Sequence, residues 1–190
     1  KKERLTRVRT VNLFDFDNDG DLDILANSEG LSHSEDPLQI YPLPYVRIFV
    51  NPGTISEDWK VIDLEDSLRG SNHATTCDID NDGDKDIIVL FGSGRAQNDI
   101  SKHGIYLYEN IAEIKSENIS RNIDFKRIFI KNDPYAFEVE CSELDGNNSY
   151  KEIIYSTHNR SSMNKYKFDK ISILKKTESN SSKKWEEEIL

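Results

Sequence analysis

Short apolar stretches of strand length, separated by clusters of Asp, Asn, Gly, Ser and Pro, run along the whole 190-residue chain. Segments such as Val46-Arg47-Ile48-Phe49-Val50 and Ile105-Tyr106-Leu107-Tyr108 are β-branched and aromatic, with turn residues at both ends. That composition suits a pleated, half-buried surface. No segment keeps a 3.6-residue apolar period long enough for a convincing helix; residues 111–123 come nearest and are read as a loop. Strands are expected at 9–16, 23–28, 46–51 and 59–64, then at 73–79, 86–91, 104–110 and 125–131. A last group falls at 135–143, 151–157, 171–175 and 185–190, the final strand being truncated. The polar stretch 175–184 is read as a solvated loop between strands.

These twelve strands are not independent. Asp15-Phe16-Asp17-Asn18-Asp19-Gly20-Asp21-Leu22-Asp23-Ile24 returns as Asp78-Ile79-Asp80-Asn81-Asp82-Gly83-Asp84-Lys85-Asp86-Ile87, an offset of 78 − 15 = 63 residues. An altered third copy runs from Glu143 to Ile154, at an offset of 143 − 78 = 65. A second marker keeps the same period: Asp58-Trp59-Lys60, Asp124-Phe125-Lys126 and Lys184-Trp185. Four short strands per repeat of this length suggest an all-β fold of β-propeller blades, at about 5–66, 70–132 and 134–190. Closed propellers take about four to eight blades. Three blades are therefore expected to belong to a larger ring, or to close one by association.

Composition narrows the class of function. The formal charge of −10 argues against a general nucleic-acid binder, which needs a basic surface. The longest apolar run, Ile87 to Phe91, is far short of a membrane span, and Lys1 to Arg9 is basic with no apolar stretch after it to suggest a signal peptide. Cys77 and Cys141 fit neither a zinc pattern nor a redox C-x-x-C pair. Both fall in strands expected to be interior, and buried free thiols are the expected state in preference to a disulfide.

Ten of the 35 acidic residues sit in the two nine-residue loops 15–23 and 78–86. Like charges packed this closely repel by about 1 kcal/mol per contacting pair even in water, so the loops ask for a counter-ion. In the pattern Asp-x-Asp-Asn-Asp-Gly-Asp-x-Asp, the carboxylates of Asp15, Asp17 and Asp19 can turn inward on a tightly coiled backbone. Asp21 would add its backbone carbonyl and Asp23 would close the shell. Asp78, Asp80, Asp82, Asp84 and Asp86 take the same places in the second loop. Gly20 and Gly83 suit the sharp turn. Hard oxygen donors without His or Cys favour calcium. An EF-hand is excluded because its position 12 requires Glu, where Ala26 and Val89 stand. In the third loop the candidate donors are Glu143, Asp145, Asn147 and Glu152.

The two loops, the apolar strand after each and the Trp/Phe-led fourth strand resemble the FG-GAP/VCBS repeat family, which includes the integrin α-subunit propeller. The resemblance covers nearly the whole chain as three tandem repeats and is specific in the first two. It implies a calcium-stabilised propeller, usually extracellular, used in adhesion or carbohydrate recognition, with a protein or glycan ligand. By that carry-over all ten loop aspartates are calcium ligands. Phe91-Gly92 preserves an FG-like pair, but no Gly-Ala-Pro follows.

In such a blade the connections between second and third strands emerge opposite the acidic loops. They run over 29–45, 93–103 and 158–165 and carry His33, Tyr41, Tyr45, Arg95, His103 and Arg160, the residues through which this face would meet a ligand. Sequons at Asn118, Asn147, Asn159 and Asn180 permit glycosylation without indicating it. The four histidines form no Ser-His-Asp or metal-ligand spacing, so a non-catalytic role is expected. The rival is part of a propeller enzyme such as a polysaccharide lyase with similar calcium loops.

Overall fold

A computed structural model describes residues 5, 7–29, 46–64, 68, 70–92, 100–112, 123–146, 150–158, 169–179 and 182–190. Three four-stranded antiparallel sheets follow one another along the chain, each a simple meander. The first holds β1 (Val8–Phe14), β2 (Asp23–Ser28), β3 (Val46–Val50) and β4 (Lys60–Asp63). The second holds β5 (Ser71–Cys77), β6 (Asp86–Phe91), β7 (Gly104–Asn110) and β8 (Phe125–Asn132). The third holds β9 (Ala136–Ser142), β10 (Glu152–Thr157), β11 (Ile171–Ser179) and β12 (Ser182–Ile189). A single 3-10 turn, Ile100–Lys102, precedes β7, and no α-helix occurs among the described residues. The fold is all-β with propeller-like blades that do not close a ring within this segment.

The middle sheet is covered on both faces, which explains its composition. Strand β6 is buried at every position, so the usual alternation gives way to an unbroken Ile87-Ile88-Val89-Leu90-Phe91. Ile87, Val89 and Phe91 join Tyr106 and Tyr108 in a core shared with Leu25, Val46 and Ile48 of the first sheet. Ile88, Leu90, Ile105 and Leu107 face the other way, onto Val139, Ile153, Tyr155 and Leu174 of the third. The opposite face of the first sheet carries the cross-strand row Leu13, Ile24, Phe49 and Val61. Of these, Leu13 is 59% and Val61 47% exposed.

The first strands of successive sheets lie side by side and are joined by polar side chains. Asn12 Nδ2 donates to Ala74 O at 2.7 Å, Asn27 Nδ2 to Ser71 O at 3.1 Å, and Asn72 Nδ2 to Ala136 O at 2.8 Å. Thr10 Oγ1 also contacts Asn27 Oδ1 and donates to Ala74 O. Each buried carbonyl so reached is spared the cost of an unmet hydrogen bond.

The structure departs from four expectations. Cys77 and Cys141 are not free thiols but a disulfide, with Cα atoms 6.2 Å apart. Burial statistics treat each thiol singly, whereas the repeat puts both, 64 residues apart, at facing points of the adjacent strands β5 and β9. The stretch 175–184 is not simply a loop. Lys175 to Ser179 and Ser182 to Lys184 continue β11 and β12 as a paired hairpin, with Ser179 opposite Ser182. Polar residues suit it because an outer hairpin can lengthen beyond the core; Lys176 Nζ lies 5.9 Å from the Trp185 ring centroid. Strand β12 accordingly starts earlier than expected, at Ser182, and pairs with β11 over eight residues. Strands β1 and β5 end two residues sooner than expected, at Phe14 and Cys77, because Phe16 and Ile79 leave the strand and turn into the core at 2% and 0% exposure.

Gly104 marks the tightest approach between strands. Its φ is +153°, and a Cβ there would stand 1.9 Å from the Lys131 carbonyl oxygen, which is backbone and has little room to retreat. Gly104→Ala is expected to destabilise the chain by about 3 kcal/mol. Chemical denaturation checks this: a midpoint unchanged from the parent would show that β7 and β8 can move apart.

Candidate metal centre

The acidic loops are built outward from one buried carboxylate each. Asp23, which opens β2, is fully buried; its Oδ2 accepts from Phe16 N at 2.8 Å and its Oδ1 from Asn51 N at 2.8 Å. Asp86 repeats the arrangement, accepting from Ile79 N at 2.9 Å and Asn110 N at 2.8 Å. Glu152 accepts from Leu144 N at 2.9 Å in the third loop. The ninth position is thus engaged with the loop and, in the first two copies, with the end of the third strand of its own sheet.

Around that anchor the backbone coils the same way twice. Asn18 and Asn81 take left-handed φ values of 56° and 57°. Asparagine tolerates this region better than other residues with a Cβ. Gly20 and Gly83 follow at 98° and 96°. Asp15 accepts from Asp19 N at 3.1 Å and Gly20 N at 3.0 Å, and Asp19 Oδ1 accepts from Asp21 N at 2.9 Å. Asp82 Oδ1 accepts from Asp84 N at 2.9 Å. In the third loop Glu143 Oε1 takes both Asp145 N, at 3.1 Å, and Gly146 N, at 2.7 Å. The part played by Asn18 and Asn81 is absent from a reading that counts only donors. Its signal was the same Asn at the same place in both copies.

The result is three convergent carboxylate sets: Asp15, Asp17 and Asp19; Asp78, Asp80 and Asp82; and Glu143, Asp145 and Glu152. Within each set the ligand atoms lie within 4.8 Å of one another. Asn147 lies outside the described residues. Four oxygens at these centres are buried and have no hydrogen-bond partner: Asp17 Oδ1, Asp78 Oδ1, Asp80 Oδ1 and Glu143 Oε2. A buried carboxylate oxygen without a donor is costly, and a hard cation meets that need. The residues therefore fit an oxygen-seeking divalent ion. The acids record the same tension. Burial, followed by the charges of Asp19 and Asp23, raises Asp17 to about 6. Burial raises Asp86 to about 7 against two backbone hydrogen bonds that lower it. Asp80 rises through burial and then Asp82 and Glu109.

Elsewhere the structure assembles a polar cluster that the sequence did not announce. Tyr155 Oη lies 3.1 Å from Asp133 Oδ2 and 2.5 Å from Glu187 Oε1. Lys170 Nζ and Lys131 Nζ close on Glu187 at 2.8 and 2.6 Å. Burial raises the Glu187 acid, but hydrogen bonds from Lys131, Lys170 and Tyr155 outweigh it and hold the carboxyl well below its usual range. The cluster fastens β12 to β8 and to the turn before β9. Of the residues expected to meet a ligand, His33, Tyr41, Tyr45, Arg95 and Arg160 lie outside the described residues. His103 is 1% exposed, and its carbonyl accepts from Asn132 Nδ2 at 2.7 Å.

Because Asp17 has a higher pKa folded than unfolded, the cation-free protein gains stability from it below the ordinary value of 3.8. It loses that gain as pH rises through about 6. Asp17→Asn removes the loss. In EDTA at pH 7.5 the variant is expected to melt roughly 2–4 °C above the parent, equivalent to about 1 kcal/mol. The two should converge near pH 4. A parent that melts higher at pH 7.5 would overturn the assignment.

No curated protein and no solved structure matches the chain. A family model described as an FG-GAP-like repeat does match, over residues 15–89. The match runs from the first donor of the first loop, through the whole second loop, to the middle of β6. The first coiled acidic loop, the second and the start of the buried strand after it lie within the matched stretch, and residues 15–89 are similar to an FG-GAP-like repeat.

Proposed function

We propose that this chain is a calcium-stabilised segment of a β-propeller, with a non-catalytic role in adhesion, ligand or glycan recognition, or assembly outside the cell. One observation carries the calcium reading: in each of three equivalent loops, carboxylates converge around buried oxygens that no donor meets. Asp15, Asp17 and Asp19, Asp78, Asp80 and Asp82, and Glu143, Asp145 and Glu152 would hold the ions. Calcium suits such a set because it takes six to eight oxygen ligands in flexible geometry, whereas magnesium keeps more of its water. The ion's contribution is to cancel repulsion and lock each loop between the first and second strands.

The disulfide supports an oxidising, extracellular setting. In keeping with a non-catalytic role, the strongly raised Asp17 and Asp86 belong to the loops themselves, where a cation accounts for their crowding. A further blade of the parent propeller would cover the exposed row of Leu13 and Val61 on the first sheet.

Thermal melting with calcium, magnesium or EDTA tests the reading. At calcium 100 times its dissociation constant, each site is expected to add about 2.7 kcal/mol. That corresponds to roughly 5–10 °C per site for a chain of this size. EDTA should reverse the gain and magnesium should give less. An identical melting temperature in all three conditions would sink the proposal.

A further inference from the structure

The second and third acidic loops are joined to each other by a covalent bond that the first lacks. Cys77 immediately precedes Asp78, the first donor of loop 2, and Cys141 stands two residues before Glu143, the first donor of loop 3. The disulfide between them therefore fastens the entrances of both loops to one covalent point. At their inner edges Lys151 N donates to Ile79 O at 2.9 Å. Ile79 lies between donors Asp78 and Asp80, and Lys151 directly precedes donor Glu152. Lys176 of β11 packs on loop 3 as well. Its Nζ lies 3.6 Å from the ring centroid of Tyr150 in loop 3. Loop 1 has no cysteine at the place of Cys77, where Phe14 stands, and its contact with loop 2 there is not covalent: Lys85 Nζ of loop 2 lies 5.4 Å from the Phe14 ring centroid.

We propose that Cys77 and Cys141 are positioning residues that make loops 2 and 3 a coupled pair of cation sites, while loop 1 binds on its own. This rests on reading the acidic loops as cation sites. The physical reason is that each loop must coil three carboxylates to within bonding distance of one ion. Fixing one entrance restricts the other, so the ordering cost met by the first ion is lower for the second. A covalent tie between the two entrances and a backbone hydrogen bond from the end of loop 3 to the second residue of loop 2 transmit that restriction without a change of fold.

The test is a calcium titration of the whole chain, oxidised, against the Cys77→Ser/Cys141→Ser double variant. Asp17→Asn, Asp80→Asn and Glu143→Gln versions assign the sites. In the oxidised chain Glu143→Gln should weaken loop 2, and Asp80→Asn should weaken loop 3, each by about tenfold, the size of an ordinary coupling energy. In the double variant both loops should weaken by about that factor, loop 1 should stay within about twofold, and the cross-effects should vanish. The oxidised chain treated with a dithiol, which takes up the bond as its own disulfide and leaves two thiols, should behave like the variant and recover on reoxidation. Equal weakening of all three loops, or loss of the fold, would show a merely structural disulfide and overturn the inference. So would unchanged loops 2 and 3. If the oxidised chain takes up no calcium at all, the reading of the loops as cation sites fails instead, and this inference with it.

Discussion

A carboxylate buried at the start of the second strand holds each blade's acidic loop in place. Asp23 and Asp86 are drawn out of water, yet each meets two backbone N–H groups, one from the loop and one from the end of the third strand. That pair of bonds decides how the loop coils, because it pulls the second loop residue, Phe16 or Ile79, into the core. With that residue buried, the chain must turn back sharply. The left-handed Asn and Gly then bring the first, third and fifth carboxylates together. The convergent acids are thus a consequence of a packing constraint as much as of their number.

The same constraint shapes the relation between sheets. Two apolar interfaces hold the blades face to face, and the middle sheet, covered twice, carries the unbroken apolar run Ile87 to Phe91. Polar contacts then set the register of one blade against the next. Asn12, Asn27 and Asn72 reach across to backbone carbonyls or hydroxyls of the neighbouring sheet, where an apolar side chain would leave those groups unmet. The Tyr155, Lys170 and Glu187 cluster does the corresponding work at the outer strand of the third sheet. Acidic loops, inner strands and outer strands are in this way each tied to their neighbours.

The third loop shows how far a repeat can drift while keeping its geometry. Glu143 replaces an aspartate and Glu152 replaces the ninth-position acid, so both side chains are one methylene longer. Glu152 still accepts a backbone N–H from the loop but also enters the convergent set, a place that Asp23 and Asp86 do not take. Longer side chains on a loop with one extra residue reach the same centre by a different route.

Much of this was legible in the chain. Repeat spacing, apolar runs and the acidic pattern determined twelve strands, their grouping in fours and the places where acids crowd, because these depend on local period and on residues close in sequence. Strand boundaries came within a few residues, and the misplacement of Phe16 and Ile79 shows the limit: nothing local says that the second loop residue turns inward. What the tertiary structure alone decided were the relations between repeats. Cys77 and Cys141 look like separate buried thiols until β5 and β9 lie side by side. Tyr155, Asp133, Lys170 and Glu187 share no sequence spacing that marks them as partners. The polar hairpin of β11 and β12 reads as loop until its pairing is seen. Each turns on distances between residues far apart in sequence, which burial of the shared apolar faces brings together and no single repeat contains.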